Sequence, residues 1–209
     1  WSQTETFVVD RLTDPASPVE KMATVRLVHN IDVNNRGDAT SQEITTWTTD
    51  ETGLEASLEV TNFQVMTNRK YDSEHNVENQ MIATFSEEGG YLLDVQEIRS
   101  IGHHSSGTAL KQIIATYVWD ETGPVTVQVA GMSYNLEPLD VKVIENSDID
   151  SKGNVGKTII TKYALWSIAD NGAGNISLVN GSQIDKQTMV TLEFDLRGNA
   201  ILQTTDTFV

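Results

Sequence analysis

Three oxygen-bearing side chains, Asn146, Asp148 and Asp150, alternate along a polar stretch that runs on to Gly153-Asn154. Hard cations take several oxygens on a tight turn, so this spacing nominates a calcium loop. An EF-hand does not fit. Lys152 falls at a ligand position, and Ile159 stands where the twelfth-position bidentate Glu belongs. The reading is therefore a looser Ca2+ site built from Asn146, Asp148, Asp150 and a backbone carbonyl, set against an ordinary hairpin loop. The overlapping run Ser151–Thr158 ends in Gly156-Lys157-Thr158 like a phosphate-binding loop, but its first glycine is Ser151. That chemistry needs a helix after the loop, whose amides hold phosphate. Thr158–Trp166 reads as a strand, so nucleotide binding is not expected.

Other residues with chemical potential are scattered. His103 and His104 are adjacent in a polar loop, and strand neighbours point to opposite faces, so they cannot both serve one strand-based metal site. Ser105 and Ser106 beside His104 suggest a nucleophile and a base, but such sets are defined by geometry rather than adjacency. Arg36-Gly37-Asp38 is the adhesive tripeptide, and with Asn34-Asn35 it is equally good turn composition. Asn175 and Asn180 head glycosylation patterns. Trp47, Trp119, Trp166 and Tyr163 sit on or beside predicted strands. They read as core aromatics or as a platform for a sugar or an apolar ligand. No catalytic constellation is fixed by spacing, and no enzyme activity is expected.

Composition narrows the partners. The chain has 209 residues and a net charge of −16. Such a field repels phosphate backbones, so nucleic-acid binding is not expected. There is no cysteine, which removes thiol chemistry and disulfides. No apolar run reaches the length of a membrane span. A thiol-free, Thr- and Asn-rich chain starting at Trp1 is read as exported: extracellular, periplasmic or on the cell surface. It is expected to be non-catalytic and to work by binding, adhesion or subunit assembly with copies of itself or another surface protein. The alternatives are a carrier of a lipid or other small apolar ligand in a barrel or half-barrel cavity, and a carbohydrate-active or carbohydrate-binding sandwich.

The elements that must carry these residues are strands. Asp50-Glu-Thr-Gly53 and Asp120-Glu-Thr-Gly123 each join two β-rich runs, with glycine supplying a positive φ and aspartate bonding its own backbone. Shared turn chemistry accounts for the two copies as well as duplication does. Val25, Leu27, His29, Ile31 and Val33 alternate, and the phase slips after Val60, which predicts a bulge near Thr61-Asn62. Residues 67–79, 102–108 and 146–157 read as loops. Thr108–Trp119 reads as a short helix passing into a strand near Tyr117. Arg197-Gly198-Asn199 turns the last hairpin. The expectation is one all-β domain over 1–209, an antiparallel hairpin-built sandwich, barrel or half-barrel with at most one or two short helices. Thr4–Asp10 is its terminal or exchanged strand. The expected core is Val25, Leu27, Ile31, Leu58, Val60, Phe85, Leu93, Val127, Val129, Val141, Leu192 and Phe194.

Overall fold

The computed structural model describes residues 2–10, 19–164, 168–170, 176–178 and 182–209. Trp166, Asn175 and Asn180 lie outside them. The chain is all-β. Its strands are β1 (Ser2–Asp10), β2 (Val19–Val33), β3 (Ala39–Thr48), β4 (Glu59–Tyr71), β5 (Val77–Phe85), β6 (Leu92–His103) and β7 (Ala109–Trp119). There follow β8 (Val125–Val129), β9 (Met132–Ile149), β10 (Val155–Ala164), β11 (Ile168–Asp170), β12 (Ile176–Leu178), β13 (Gln183–Phe194) and β14 (Ala200–Phe208). Helical geometry among the described residues is confined to one 3₁₀ turn, Glu55–Ser57. Twelve strands belong to one antiparallel sheet in which neighbours follow chain order; β8 pairs β9, and β11 and β12 form a separate ribbon. The hairpin-built class expected from the turns is thus present, as a meander.

The chain divides into two compact units, Trp1–Thr67 with Ile82–Asp94, and Asn68–Met81 with Val95–Val209. The first buries Val25, Ile44, Phe63, Val65, Ala83 and Phe85. Phe63 and Phe85 meet with ring centroids 6.3 Å apart. The second buries Val95, Ile113, Ala115, Tyr117, Val141 and Val143 on facing strands, where Val95 pairs Tyr117, Ala115 pairs Val141 and Ile113 pairs Val143.

Several expectations need correction. Thr108–Trp119 contains no helix; the spacing of Leu110, Ile113, Ile114 and Tyr117 is compatible with both periods, and β-branched density on both faces of β7 favours the strand. The supposed loops at 67–79 and 146–157 shrink to five residues each, because strands β4, β5, β9 and β10 run into polar sequence. Ile31, Val60, Leu93 and Leu192 are exposed rather than core. Alternation identifies a face but not which face is covered. The bulge is where the phase slip puts it: Thr46 pairs Asn62 and Trp47 pairs Val60, leaving Thr61 extra.

The register reveals a repeat. Strands leaving the long hairpins share a hexapeptide: Gln42-Glu-Ile-Thr-Thr-Trp47, Gln80-Met-Ile-Ala-Thr-Phe85, Gln112-Ile-Ile-Ala-Thr-Tyr117, Thr158-Ile-Ile-Thr-Lys-Tyr163 and Gln203-Thr-Thr-Asp-Thr-Phe208. Ser2-Gln-Thr-Glu-Thr-Phe7 on β1 is a further copy. Where the hexapeptide strand meets the next strand, the register slips just before the aromatic, at Thr6/Phe7, Thr46/Trp47, Thr116/Tyr117 and Lys162/Tyr163. The extra residue lies each time on the neighbouring strand, at Ala23, Thr61, Leu139 and Ile184, so a bulge bends that strand where it meets the aromatic.

Candidate functional site

The loops that close these hairpins are built alike. In Asp150–Asn154 the Asp150 Oδ1 accepts the amides of Lys152 (2.8 Å) and Asn154 (3.0 Å), and Asn154 Nδ2 donates to Asp150 Oδ2 at 2.8 Å. Asp195–Asn199 repeats this set with Arg197, and Asp72–Asn76 with Glu74. In Asn34–Asp38 the two end residues are exchanged, and Asn34 Nδ2 donates to Asp38 Oδ2 at 2.9 Å. In His104–Thr108 the imidazole Nδ1 takes the aspartate's role, accepting from the Ser106 amide at 3.3 Å. The fourth position has positive φ each time, supplied by Gly37, Gly107, Gly153 and Gly198, and by His75 in the one loop without glycine there. Four residues outside each loop, a second polar pair crosses the hairpin: Gln42 to Asn30, Gln80 to Asn68, Gln112 to Ser100, Thr158 to Asn146 and Gln203 to Thr191.

Within the second unit these loops touch in series. A methyl group on Gly107 would lie 3.0 Å from Asn76 Oδ1, one on Gly153 2.8 Å from Ser106 Oγ, and one on Gly198 closer still to Asn154 Oδ1. Thr108 Oγ1 also donates to the Gly153 carbonyl at 3.3 Å. Beside this row lies a concavity of about 350 Å³, whose lining includes Gln80, Ser100, Gln112 and Asn146 with Ile98 and Ile114. A second, of about 530 Å³, opens between Asp72–Asn76 and His103–Gly107.

The residues nominated for calcium are drawn into this framework. Asn146 donates Nδ2 to the Ala109 carbonyl (3.0 Å) and accepts from Thr158 Oγ1 (2.9 Å). Both oxygens of Asp150 serve the loop. Hydrogen bonds, led by that from the Asn154 side chain, hold its carboxyl below the ordinary range. Asp148 is exposed on left-handed backbone, and its carbonyl faces Gly156 where a Cβ would come within 2.9 Å. Among the described residues no group of three His, Asp or Glu side chains is placed to hold a metal ion. Lys157 and Thr158 lie inside β10, so no helix follows the phosphate-loop-like run. The Asp38 carboxylate of the adhesive tripeptide turns into its loop and its side chain is 7% exposed.

The aromatics separate. Trp47 and Tyr163 occupy the hexapeptide's last position and are half-buried, like the buried Phe85 and Tyr117 in the same place. Trp119 lies two residues past that position and is 54% exposed. The described neighbours of Trp47 and Tyr163 are therefore framework neighbours: Trp47 pairs Val25 and Val60, and Tyr163 pairs Val141.

The histidines split between two arrangements. His103 Nδ1 lies 3.0 Å from Asp72 Oδ2, with both side chains largely covered. His104 Nδ1 lies 2.9 Å from Ser106 Oγ, which also contacts Thr108 Oγ1. The carboxylate that could orient a base and the hydroxyl that could attack thus engage different histidines. On the opposite face, Arg69 forms a two-pronged pair with Glu97 (2.6 and 2.9 Å) that Arg99 joins at 2.9 Å. Such a cluster specifies register as readily as it serves chemistry.

The hexapeptide and the loop frame escaped the sequence reading, though the residues were in plain view. The intervals vary, short from Phe85 to Tyr117 and long from Tyr117 to Tyr163, because β8 and its turns are inserted. Aligning on loop ends rather than on the Asp-Glu-Thr-Gly turns exposes the period.

No family model and no curated protein matches the chain. Among solved structures, a protein of unknown function from Bacteroides fragilis is similar at 9% identity and a TM-score of 0.32, with 76% of this chain and 92% of that chain covered.

Proposed function

We propose that this chain is a non-catalytic hairpin-repeat module of an exported or cell-surface protein, working by binding or by subunit assembly. The observation that carries the reading is the series of stacked loops: their side-chain donors and acceptors are spent within and between hairpins, as expected of a scaffold. In repeat architectures each unit contacts its neighbours, and function falls to extended surfaces and ends. The exported setting is supported by the absence of cysteine from 209 residues. Sedimentation from micromolar to near-millimolar concentration tests assembly. Association is expected, and more of it as salt screens the net charge of −16. A strict monomer at every concentration would sink assembly and leave binding.

A second reading draws on the concavity over Ile98 and Ile114. Its Gln80, Ser100, Gln112 and Asn146 side chains each make a cross-hairpin hydrogen bond and keep capacity for a second, which suits sugar hydroxyls better than an acyl chain. Amide chemical shifts of these residues, recorded during titration with soluble oligosaccharides, test it. Shifts confined to these strands support a glycan site, and an unmoved spectrum removes it.

A further inference from the structure

We infer that the concavity over Ile98 and Ile114 takes an N-acetylated sugar, with the acetamido group of one unit seated on the two isoleucines and on Ser100 and Gln112. This rests on the glycan reading and names its ligand class. Strands β6 and β7 build the floor. Ile98 pairs Ile114 across them, and Ser100 pairs Gln112 two residues further along. Positions two apart on a strand share a face, so an apolar pair and a polar pair stand side by side on one surface. Gln80 of β5 and Asn146 of β9 line the two sides. At about 350 Å³ the concavity is near the lower end for small-molecule sites, which suits one sugar unit rather than a long chain.

The floor suits an acetamido group better than a plain hexose. A plain hexose offers ring C–H faces, which lie best on a flat aromatic ring, and among the described residues no aromatic side chain lines this concavity. Two branched aliphatic side chains fit a compact methyl group instead. To that methyl an acetamido group adds one N–H donor and one C=O acceptor. Gln112 Nε2 donates to Ser100 Oγ at 3.1 Å. This leaves the Ser100 hydroxyl hydrogen to donate and Gln112 Oε1 to accept, the complement of an amide. Gln80 donates to Asn68 at 2.6 Å and Asn146 to the Ala109 carbonyl at 3.0 Å. Each keeps a second N–H for the ring hydroxyls. An acetylated lysine carries the same amide on an alkyl stem, which would leave those two side chains unmatched.

Charge points the same way. Among the described residues no lysine, arginine, aspartate or glutamate lines the concavity. Its titratable side chain is His103, whose Nδ1 faces the Asp72 carboxylate at 3.0 Å. A uronic or sialic acid would bring its carboxylate to a lining without lysine or arginine, in a chain of net charge −16. A free amino sugar would bring a cation to a lining without a carboxylate. The neutral acetamido group avoids both mismatches.

The disaccharides of N-acetylglucosamine, glucose and glucosamine, all of one linkage, separate the cases. Each is titrated to tens of millimolar while the amide and isoleucine methyl resonances of the full chain are followed. The acetylated disaccharide should shift Ile98, Ser100, Gln112 and Ile114 and bind at least about tenfold more tightly than the other two. Its acetyl methyl should show nuclear Overhauser contacts to the methyls of Ile98 and Ile114. Ser100→Ala removes the donor, and Ile114→Thr keeps a β-branched strand former while losing apolar surface. Each should reduce the preference to less than about threefold with an unchanged circular dichroism spectrum. The titration of the parent chain decides the matter even if a variant misfolds. Folded variants that keep the full preference overturn the inference, and so do shifts confined to other strands. Equal binding of the acetylated and glucose disaccharides overturns it and leaves the glycan reading in place. An N-acetyl-lysine peptide that binds as tightly as the acetylated disaccharide also overturns it. A spectrum unmoved by all three disaccharides removes both the inference and the glycan reading.

Discussion

The hairpin formed by β6 and β7 and that formed by β13 and β14 share a frame, yet differ in what they bury. Both carry the hexapeptide, a five-residue loop and the polar pair four residues outside it, Gln112 with Ser100 and Gln203 with Thr191. Their aromatics hold the same position. Tyr117 is 3% exposed, with β9 beyond β7; Phe208 is 60% exposed, with no described strand beyond β14. Local sequence thus builds the hairpin, and the neighbouring strand decides whether its aromatic becomes core. Burial is a property of the array rather than of the repeat.

The largest expected effect breaks the equivalence of the two aromatics. Tyr117→Ala should cost about 3–5 kcal/mol of unfolding free energy, the usual loss for a buried aromatic. Phe208→Ala in dilute monomer should change it by less than about 0.5 kcal/mol, as at exposed sites generally. Urea denaturation of both variants checks this, and comparable losses would show that the array does not set burial.

A smaller contrast concerns loop stacking. Gly153 and Gly37 have φ of +91° and +89°, but only at Gly153 does a methyl group meet a neighbouring loop, 2.8 Å from Ser106 Oγ. Gly37→Ala should cost about 1 kcal/mol through backbone strain alone. Gly153→Ala should cost about 2–3 kcal/mol, the excess measuring the contact. Equal losses would mean that the loops do not support one another.

Exchange of loop ends should matter less. Asp150→Asn replaces the carboxylate oxygen that accepts from Asn154 Nδ2 and should lower the melting temperature. The double change Asp150→Asn with Asn154→Asp recreates the order found in Asn34–Asp38 and should recover most of the loss. A double variant no better than the single one would contradict the shared loop chemistry.

The smallest effect is a pH dependence. Asp150 and Asp195 lie below the ordinary carboxylate value of 3.8, chiefly through side-chain hydrogen bonds from Asn154 and Asn199. A depressed folded pKa contributes stability that is present above the unfolded value and lost as pH falls through the folded one. Asp94 is shifted upward, chiefly by burial, so its contribution is present below the unfolded value and lost as pH rises through the folded one. Below about pH 4 the loops should loosen, and in Asp150→Asn the acid-induced fall in melting temperature should shrink. An identical acid profile in variant and parent would remove Asp150 from the account.

Much of this fold was legible before any coordinates. Glycine and aspartate at the corners announced the turn from β3 to β4 and the last hairpin, whereas Asp120–Gly123 joins β7 to a β8 that pairs β9 instead. The slip after Val60 announced the bulge at Thr61. The site was less legible. Asn146 and Asp150 looked like cation ligands because oxygen-rich turns share one composition whether they bind a metal or their own amides. Trp47 and Tyr163 looked like a platform until the register placed them in the series with Phe85 and Tyr117.

What the sequence by itself determined was local: strand and turn, the recurring loop frame, and the alternation that gives each strand two unlike faces. These follow from φ preferences, side-chain hydrogen bonds to nearby amides and the two-residue period of a strand, all of which act within a few residues. Only the tertiary structure decided which face is covered, which loops touch, and which of the repeated aromatics is buried. Those outcomes depend on strands far away in the chain, and Tyr117 and Phe208 show one motif reaching opposite ends.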